Sequence, residues 1–270
     1  MSRNRLVAFI VAAIGILSGM TVCAGSSDPP KGFVSLFNGK DFNGWRVPKG
    51  DEDIHWKVVD GVIDHDGRTE GKGERSLWTE KSYKDFVFMV DWRLKTEPGY
   101  RWSVPILLPD GSTRKDSEGN EVKVAIEDVD SGIYLRGSEK SQVNIWMWPA
   151  GSGEVWGYRT DMQMSPAVRA AATPKKKADR PRGEWNTFEI TLNGERLWVK
   201  LNGEEVISNA ELPGIPQTGP IGLQHHGIQY DASTQKWKGP PSLVQFRNIF
   251  IKELGSPSGR AAPPDRPDNR

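Results

Sequence analysis

Only one of the 270 residues is cysteine, Cys23, and only four are histidine. Cys23 falls within an opening segment of its own character. Met1–Arg5 carry two arginines, Leu6–Leu17 are almost wholly apolar, and Val22-Cys23-Ala24 form an A-x-A-like cleavage site before Gly25. This predicts a secretory signal peptide over residues 1–24, because the apolar run is too short to span a bilayer. A lipid anchor on Cys23 is disfavoured, since a lipobox wants a small residue where Val22 stands. Cleavage after Ala24 removes the one thiol, which excludes disulfides and a cysteine nucleophile from the mature chain. The expected location is periplasmic or extracellular, with no integral membrane segment left after cleavage.

Charge of one sign is also lacking. Lysine and arginine number 36 against 35 acids, a net +1, and losing two arginines with the signal makes it −1. Nothing in that balance draws a nucleic acid or an anionic membrane. Missing too is any long apolar stretch of helical period with caps. Residues 166–180 allow at most a short helix or a mobile loop. The period is two instead. Phe86, Phe88, Val90, Trp92 and Leu94 share one face of a strand, and Phe188, Ile190 and Leu192 share another. Asp60-Gly61, Asn193-Gly194 and Asn202-Gly203 separate such runs, and these dipeptides are strong hairpin signals. Many short strands joined by glycine-rich turns predict an all-β fold, an antiparallel sandwich or barrel. Residues 96–130, with three prolines and Gly-containing turns, read as a long excursion holding one hairpin. The predicted organisation is a polar leader over 25–32, one domain over 33–254 and a disordered tail over 255–270.

Several chemistries lack their signatures. No G-x-S-x-G elbow supports a serine hydrolase. His55 and His65 are ten residues apart, and adjacent His225 and His226 project to opposite sides of a strand, so no metal site or cofactor is expected. Glu127-Asp128-Val129-Asp130 reads as a solvated acidic turn in preference to a Ca²⁺ loop.

Strand alternation instead collects one polar face. Ile133 and Leu135 point to the core, so Tyr134 and Arg136 point away. Val143, Ile145 and Met147 point in, so Gln142, Asn144, Trp146 and Trp148 point away. Ile221 and Leu223 take His225 inward, leaving Gln224 and His226 outside. Asp91 and Arg93 join the away-facing set. The plain reading is the wetted face that any antiparallel sandwich has. The recurrence of amides in place of Lys and Glu favours a sugar surface, because amides and guanidinium groups bond vicinal hydroxyls while indoles pack on pyranose C–H faces. Eleven tryptophans agree with that, although part of them belongs to the core. Glu154, after a glycine-rich turn, is a candidate acid or a rim carboxylate.

Leu36-Phe37-Asn38-Gly39-Lys40-Asp41-Phe42-Asn43-Gly44-Trp45 resembles the opening of the 3-keto-disaccharide hydrolase domain family. Trp56–Gly61, Ser131–Gly137, Glu184–Ile190, Gly219–Gly227 and Phe246–Lys252 are similar to its later blocks, in order over about residues 32–253. The resemblance implies a concanavalin A-like jelly-roll β-sandwich acting on glycosides oxidised at C3. In that chemistry a base removes the acidified C2 proton, the C1 aglycone leaves by β-elimination, and water adds to the product. The resemblance implies His226 as base, with Arg136 as partner of the enolate oxygen. Gln142, Asn144, Trp146, Gln224, Tyr134, Asp91, His225 and Glu154 are the expected substrate contacts, and a sugar or glycoside is the expected partner. The chain departs from the pattern twice, with Gln142 and His225 standing where many members have carboxylates. Those departures keep a second reading open, a carbohydrate-binding module without turnover.

Overall fold

The computed structural model describes residues 28–51, 54–68, 75–97, 100–227, 229–231, 236–238 and 241–255. The predicted signal peptide, most of the predicted tail and part of the leader lie outside the described residues.

In chain order the strands begin with β1 (Val34–Ser35), β2 (Trp45–Arg46), β3 (Trp56–Val59), β4 (Val62–Asp66), β5 (Leu77–Thr79) and β6 (Phe86–Leu94). They continue with β7 (Tyr100–Pro105), β8 (Lys123–Asp128), β9 (Ser131–Leu135), β10 (Ser138–Ile145), β11 (Asn186–Asn193) and β12 (Arg196–Leu201). The last are β13 (Glu204–Glu211), β14 (Gly222–Leu223), β15 (Gln229–Asp231), β16 (Lys236–Lys238) and β17 (Leu243–Glu253). Two short helices, α1 (Trp156–Arg159) and α2 (Pro166–Ala171), lie between β10 and β11.

Two antiparallel sheets form the sandwich. The larger has eight strands in the order β13-β12-β11-β6-β17-β4-β3, with β1 also on β17, and the smaller runs β10-β9-β14-β5-β2. Of the sandwich and the barrel that the alternation left open, the fold is the all-β antiparallel sandwich, consistent with the jelly roll that the resemblance implies. The core follows from the period-two pattern. Phe86, Phe88, Val90, Trp92, Phe188 and Ile190 of the larger sheet meet Leu77, Ile133, Leu135, Val143, Ile145 and Leu223 of the smaller. Each of those side chains contributes about 1.5–3 kcal/mol on full burial. The turns behave as the sequence predicts. Asp60-Gly61 joins β3 to β4, and Asn202-Gly203 joins β12 to β13, with all four residues at positive φ. The 96–130 excursion contains the β7–β8 hairpin as a separate two-stranded sheet, and α2 is the short helix allowed over 166–180.

The smaller sheet has its inner face in the core and its outer face open. That outer face carries the candidate site.

Candidate active site

A groove of about 780 Å³ lies on the outer face of the five-stranded sheet, and Tyr134, Gln142, Asn144, Trp146, Gln224 and His226 line it together. Register explains the convergence. Asn144 pairs with Gly132, and Gln142 with Tyr134, across β10 and β9. Gln224 continues β14, its N–H donating to the Gly132 carbonyl at 2.9 Å. Directly paired residues send their side chains to one face. Gly132 sits between the two glutamines, and a Cβ there would come within 2.4 Å of Gln142 Nε2. Its absence lets Gln142 Nε2 donate to Gln224 Oε1 at 2.5 Å, leaving the Gln224 NH₂ as that side chain's donor. Trp146 is stacked on Trp148 with centroids 4.0 Å apart, and its indole N–H donates to the Gly151 carbonyl at 2.7 Å. Asp128 holds Trp148 in place by accepting its indole N–H at 2.9 Å.

The same groove contains Asp130, whose Oδ2 is 3.9 Å from His226 Nε2. Both side chains are about a quarter exposed. Ser242 holds the two backbones in this relation. Its hydroxyl accepts the His226 N–H at 2.8 Å and donates to the Asp130 carbonyl at 2.6 Å. Burial, and then the neighbouring Asp128 charge, push the Asp130 carboxyl well above the usual carboxylate range. Asp130 is therefore not part of a solvated acidic turn. Residues 130, 132 and 134 share parity, so running the β9 alternation back by two residues would have found it. Lys140, Trp156 and Asp161 also line the groove, with Lys140 Nζ 2.7 Å from Asp161 Oδ2. Trp156 and Asp161 come from α1 and the turn after it, which the sequence pattern did not connect to β10.

Four expected contacts are elsewhere. Arg136 does not face the groove. It stands at the β9–β10 turn with φ +50°, followed by Gly137 at +69°. Strand alternation stops there, and the side chain turns under the sheet. Its guanidinium donates to the carbonyls of Lys84, Gly194 and Pro216 and to Asp85 Oδ1, at 2.5 to 3.1 Å. Its donors are committed to those protein acceptors, and it is not among the residues that line the groove, so it has none to offer a substrate. Asp91 belongs to the larger sheet, where it accepts from Thr187 and Asn248 on the opposite outer face of the sandwich. Parity along β6 was right, but parity does not say which sheet a strand joins. Arg93 lies on that same distant face, its guanidinium over the Trp185 ring.

Glu154 is fully buried beside Arg159, which donates to it from α1. Burial pushes its carboxyl up to about 7, even against the pull of that arginine. It supports the β10–α1 junction and is not a rim carboxylate. His225 turns inward, as parity predicts, and forms a cluster with two further histidines. His65 Nε2 is 3.0 Å from His225 Nδ1, the His55 ring meets His225 edge-on at 4.5 Å, and His55 Nδ1 is hydrogen-bonded to Asp51. His225 thus braces the interior edge of the sandwich and does not line the groove.

Burial, followed by the charges of His225 and His55, holds the His65 imidazole well below its ordinary value. The folded chain keeps this ring neutral, whereas the unfolded chain protonates it below about pH 6.5. The stability that His65 contributes is therefore complete above that pH and is lost as pH falls through it, by about 1.4 kcal/mol per unit for one proton. The melting temperature of wild type is expected to drop between pH 7 and 5, and His65→Gln to show a shallower fall. An identical pH slope in both proteins would contradict this assignment.

Comparison with known proteins gives consistent results. The family model described as "3-keto-alpha-glucoside-1,2-lyase-like domain" matches residues 32–252. A curated relative from Bacteroides thetaiotaomicron, named 3-keto-disaccharide hydrolase, is 31% identical over 260 residues, covering 83% of this chain and 79% of that one. Among solved structures, a protein of Parabacteroides distasonis provisionally assigned to the glycosyl hydrolases superposes with a TM-score of 0.51 at 23% identity. That match covers 83% of this chain and 94% of the other. A second structure from the same organism gives 0.50 at 23% identity, covering 83% and 84%. At these identities the structures bear on the fold alone.

Proposed function

The chain belongs to the 3-keto-alpha-glucoside-1,2-lyase-like family, and from that premise we propose that it is an exported protein that cleaves glycosides carrying a keto group at C3. The observation that carries the reading is the meeting of His226 and Asp130 at 3.9 Å in a groove that also presents three side-chain amides and three indoles. The curated relative's name supports the substrate class, and the signal-like residues 1–24 support export.

The reaction asks little of the protein beyond placement. A C3 ketone acidifies the C2 proton. His226 takes that proton, and the electron pair delocalises onto the C3 oxygen as an enolate. The enolate then collapses, C1=C2 forms, the C1–O bond breaks, and the aglycone oxygen needs a proton. Asp130 is suited to supply it, because a carboxyl raised by burial and by Asp128 keeps its proton nearer to neutral pH. Water adds to C1 of the enone in the second half, giving net hydrolysis. Donors from Asn144 and the Gln224 NH₂ face the groove and take the enolate role that Arg136 does not fill. Trp156, half exposed where it lines the groove, offers a ring face for the glycone, while the buried Trp146 backs Trp148. Asp130 also answers the two departures from the family pattern, since it brings a carboxylate to a site where Gln142 and His225 supply none.

The test is release of aglycone from 3-keto-glucosides compared with the unoxidised parents. Release from the oxidised compounds alone is expected. Saturable binding of both without release would favour the binding-module reading instead. Asp130→Asn then separates the roles. Its rate loss is expected to be about 10²-fold for an alkyl or sugar aglycone, which needs protonation, and several-fold smaller for a nitrophenol. Equal losses for both leaving groups would remove Asp130 from the acid role.

A further inference from the structure

The groove does not end at Tyr134. Register places five residues in one row across the whole smaller sheet. Gln142 pairs with Tyr134, Tyr134 with Gly222, Gly222 with Trp78, and Trp78 with Arg46. All five therefore share the outer face. Four strand spacings of about 4.8 Å make the row about 19 Å long.

The glycine at its centre has a specific effect. A Cβ on Gly222 would lie 2.7 Å from the Trp78 ring, so only the bare backbone admits the indole. Trp78 consequently lies over β14 and stacks on Tyr134, with centroids 5.3 Å apart and planes 14° from parallel. The pair forms an aromatic ridge with the groove on one side. On the other side is a second depression of about 490 Å³, lined by Arg46, Pro48, Ser76, Trp78 and Pro220. Arg46 is exposed there, and among the described residues no carboxylate pairs with its guanidinium. A planar donor fork beyond an aromatic ridge suits a carboxylate or sulfate carried by a sugar whose ring rests on the indole.

We propose that the row Tyr134–Trp78–Arg46 is a second binding region, which takes an anionic saccharide as the aglycone of the 3-keto sugar held by the groove. This rests on the groove being the glycone site. It goes further in naming the leaving group as an acidic sugar, with Trp78 carrying its ring and Arg46 its charge. The two regions are continuous along one strand-to-strand row, so a disaccharide lying across the strands meets both at once.

The experiment uses the full chain with His226→Ala, so that ligands bind without turnover. Disaccharides with a C3-oxidised non-reducing glucose are titrated calorimetrically over several linkages. The second ring of each is neutral, a 6-carboxylate or a 6-sulfate. For at least one linkage an anionic form is expected to bind about tenfold tighter than the neutral form, and the preference is expected to shrink with salt. The carboxylate and sulfate arms identify which anion is preferred. Arg46→Gln, on an exposed edge position, is expected to erase the preference and leave neutral binding unchanged. Trp78→Ala is expected to weaken both forms while 3-ketoglucose alone binds as before. The proposal is overturned if no linkage shows the preference, if Arg46→Gln retains it, or if no disaccharide binds. Binding of 3-ketoglucose serves as the separate indicator. If it persists while the acidic preference is absent, the second region fails and the glycone site stands. If it too is lost, the reading of the groove fails.

Discussion

His226→Ala is expected to lower aglycone release from a 3-keto-glucoside by about 10²–10⁴-fold, the range for loss of a positioned general base. The loss should be the same for good and poor leaving groups, because proton removal from C2 precedes departure of the aglycone. That separates it from Asp130→Asn, whose cost should grow with leaving-group basicity. A second readout isolates the step itself. Wild type in D₂O should exchange the C2 hydrogen of a 3-keto sugar that lacks a leaving group, and His226→Ala should not. The fold should be little affected, since the imidazole lies at the groove and the backbone N–H, not the ring, bonds to Ser242. Undiminished exchange in the variant would rule out His226 as the base.

The largest effect on stability is expected at Arg136. Its guanidinium satisfies three backbone carbonyls and Asp85, and it ties the β9–β10 turn to Lys84, Gly194 and Pro216. Arg136→Met keeps much of the stem and removes every donor. The carboxylate of Asp85, which also accepts the Gly194 N–H at 2.7 Å, then loses its cationic partner. Breaking a buried pair from one side costs about 3–5 kcal/mol. Denaturant unfolding should show that loss as a lower midpoint at unchanged slope. Turnover per folded molecule should stay near wild type, which distinguishes a structural arginine from an oxyanion partner. A folded, stable variant with kcat reduced about a hundredfold would restore the catalytic role.

These two residues show where sequence reasoning worked and where it stopped. Tyr134, Gln142, Asn144, Trp146 and Gln224 were placed on one face by parity alone, and they do line one groove. Parity holds while a segment stays extended, because successive side chains must alternate. At Arg136 the backbone enters a left-handed turn, and the same counting sends the side chain the wrong way. Asp91 failed differently. Its outward direction was correct, yet outward from the larger sheet is the far side of the molecule. Trp156 and Asp161 reach the groove through α1, a four-residue helix with no periodic signal to read, and the turn after it.

The sequence by itself determined the longer alternating strands, their inward faces, the Asp-Gly and Asn-Gly turns and the opposite directions of His225 and His226. These depend on local stereochemistry and on a period of two, both of which neighbouring residues suffice to define. Only the tertiary structure decided which strands lie side by side. That order brings Asp130 to His226 through Ser242, gathers His55, His65 and His225 into one inner cluster, and lines Gln142, Tyr134, Trp78 and Arg46 into a row. Strand order arises from long-range burial of two apolar faces against each other, and residues nearly a hundred positions apart, such as Asp130 and His226, become neighbours only once that burial is complete.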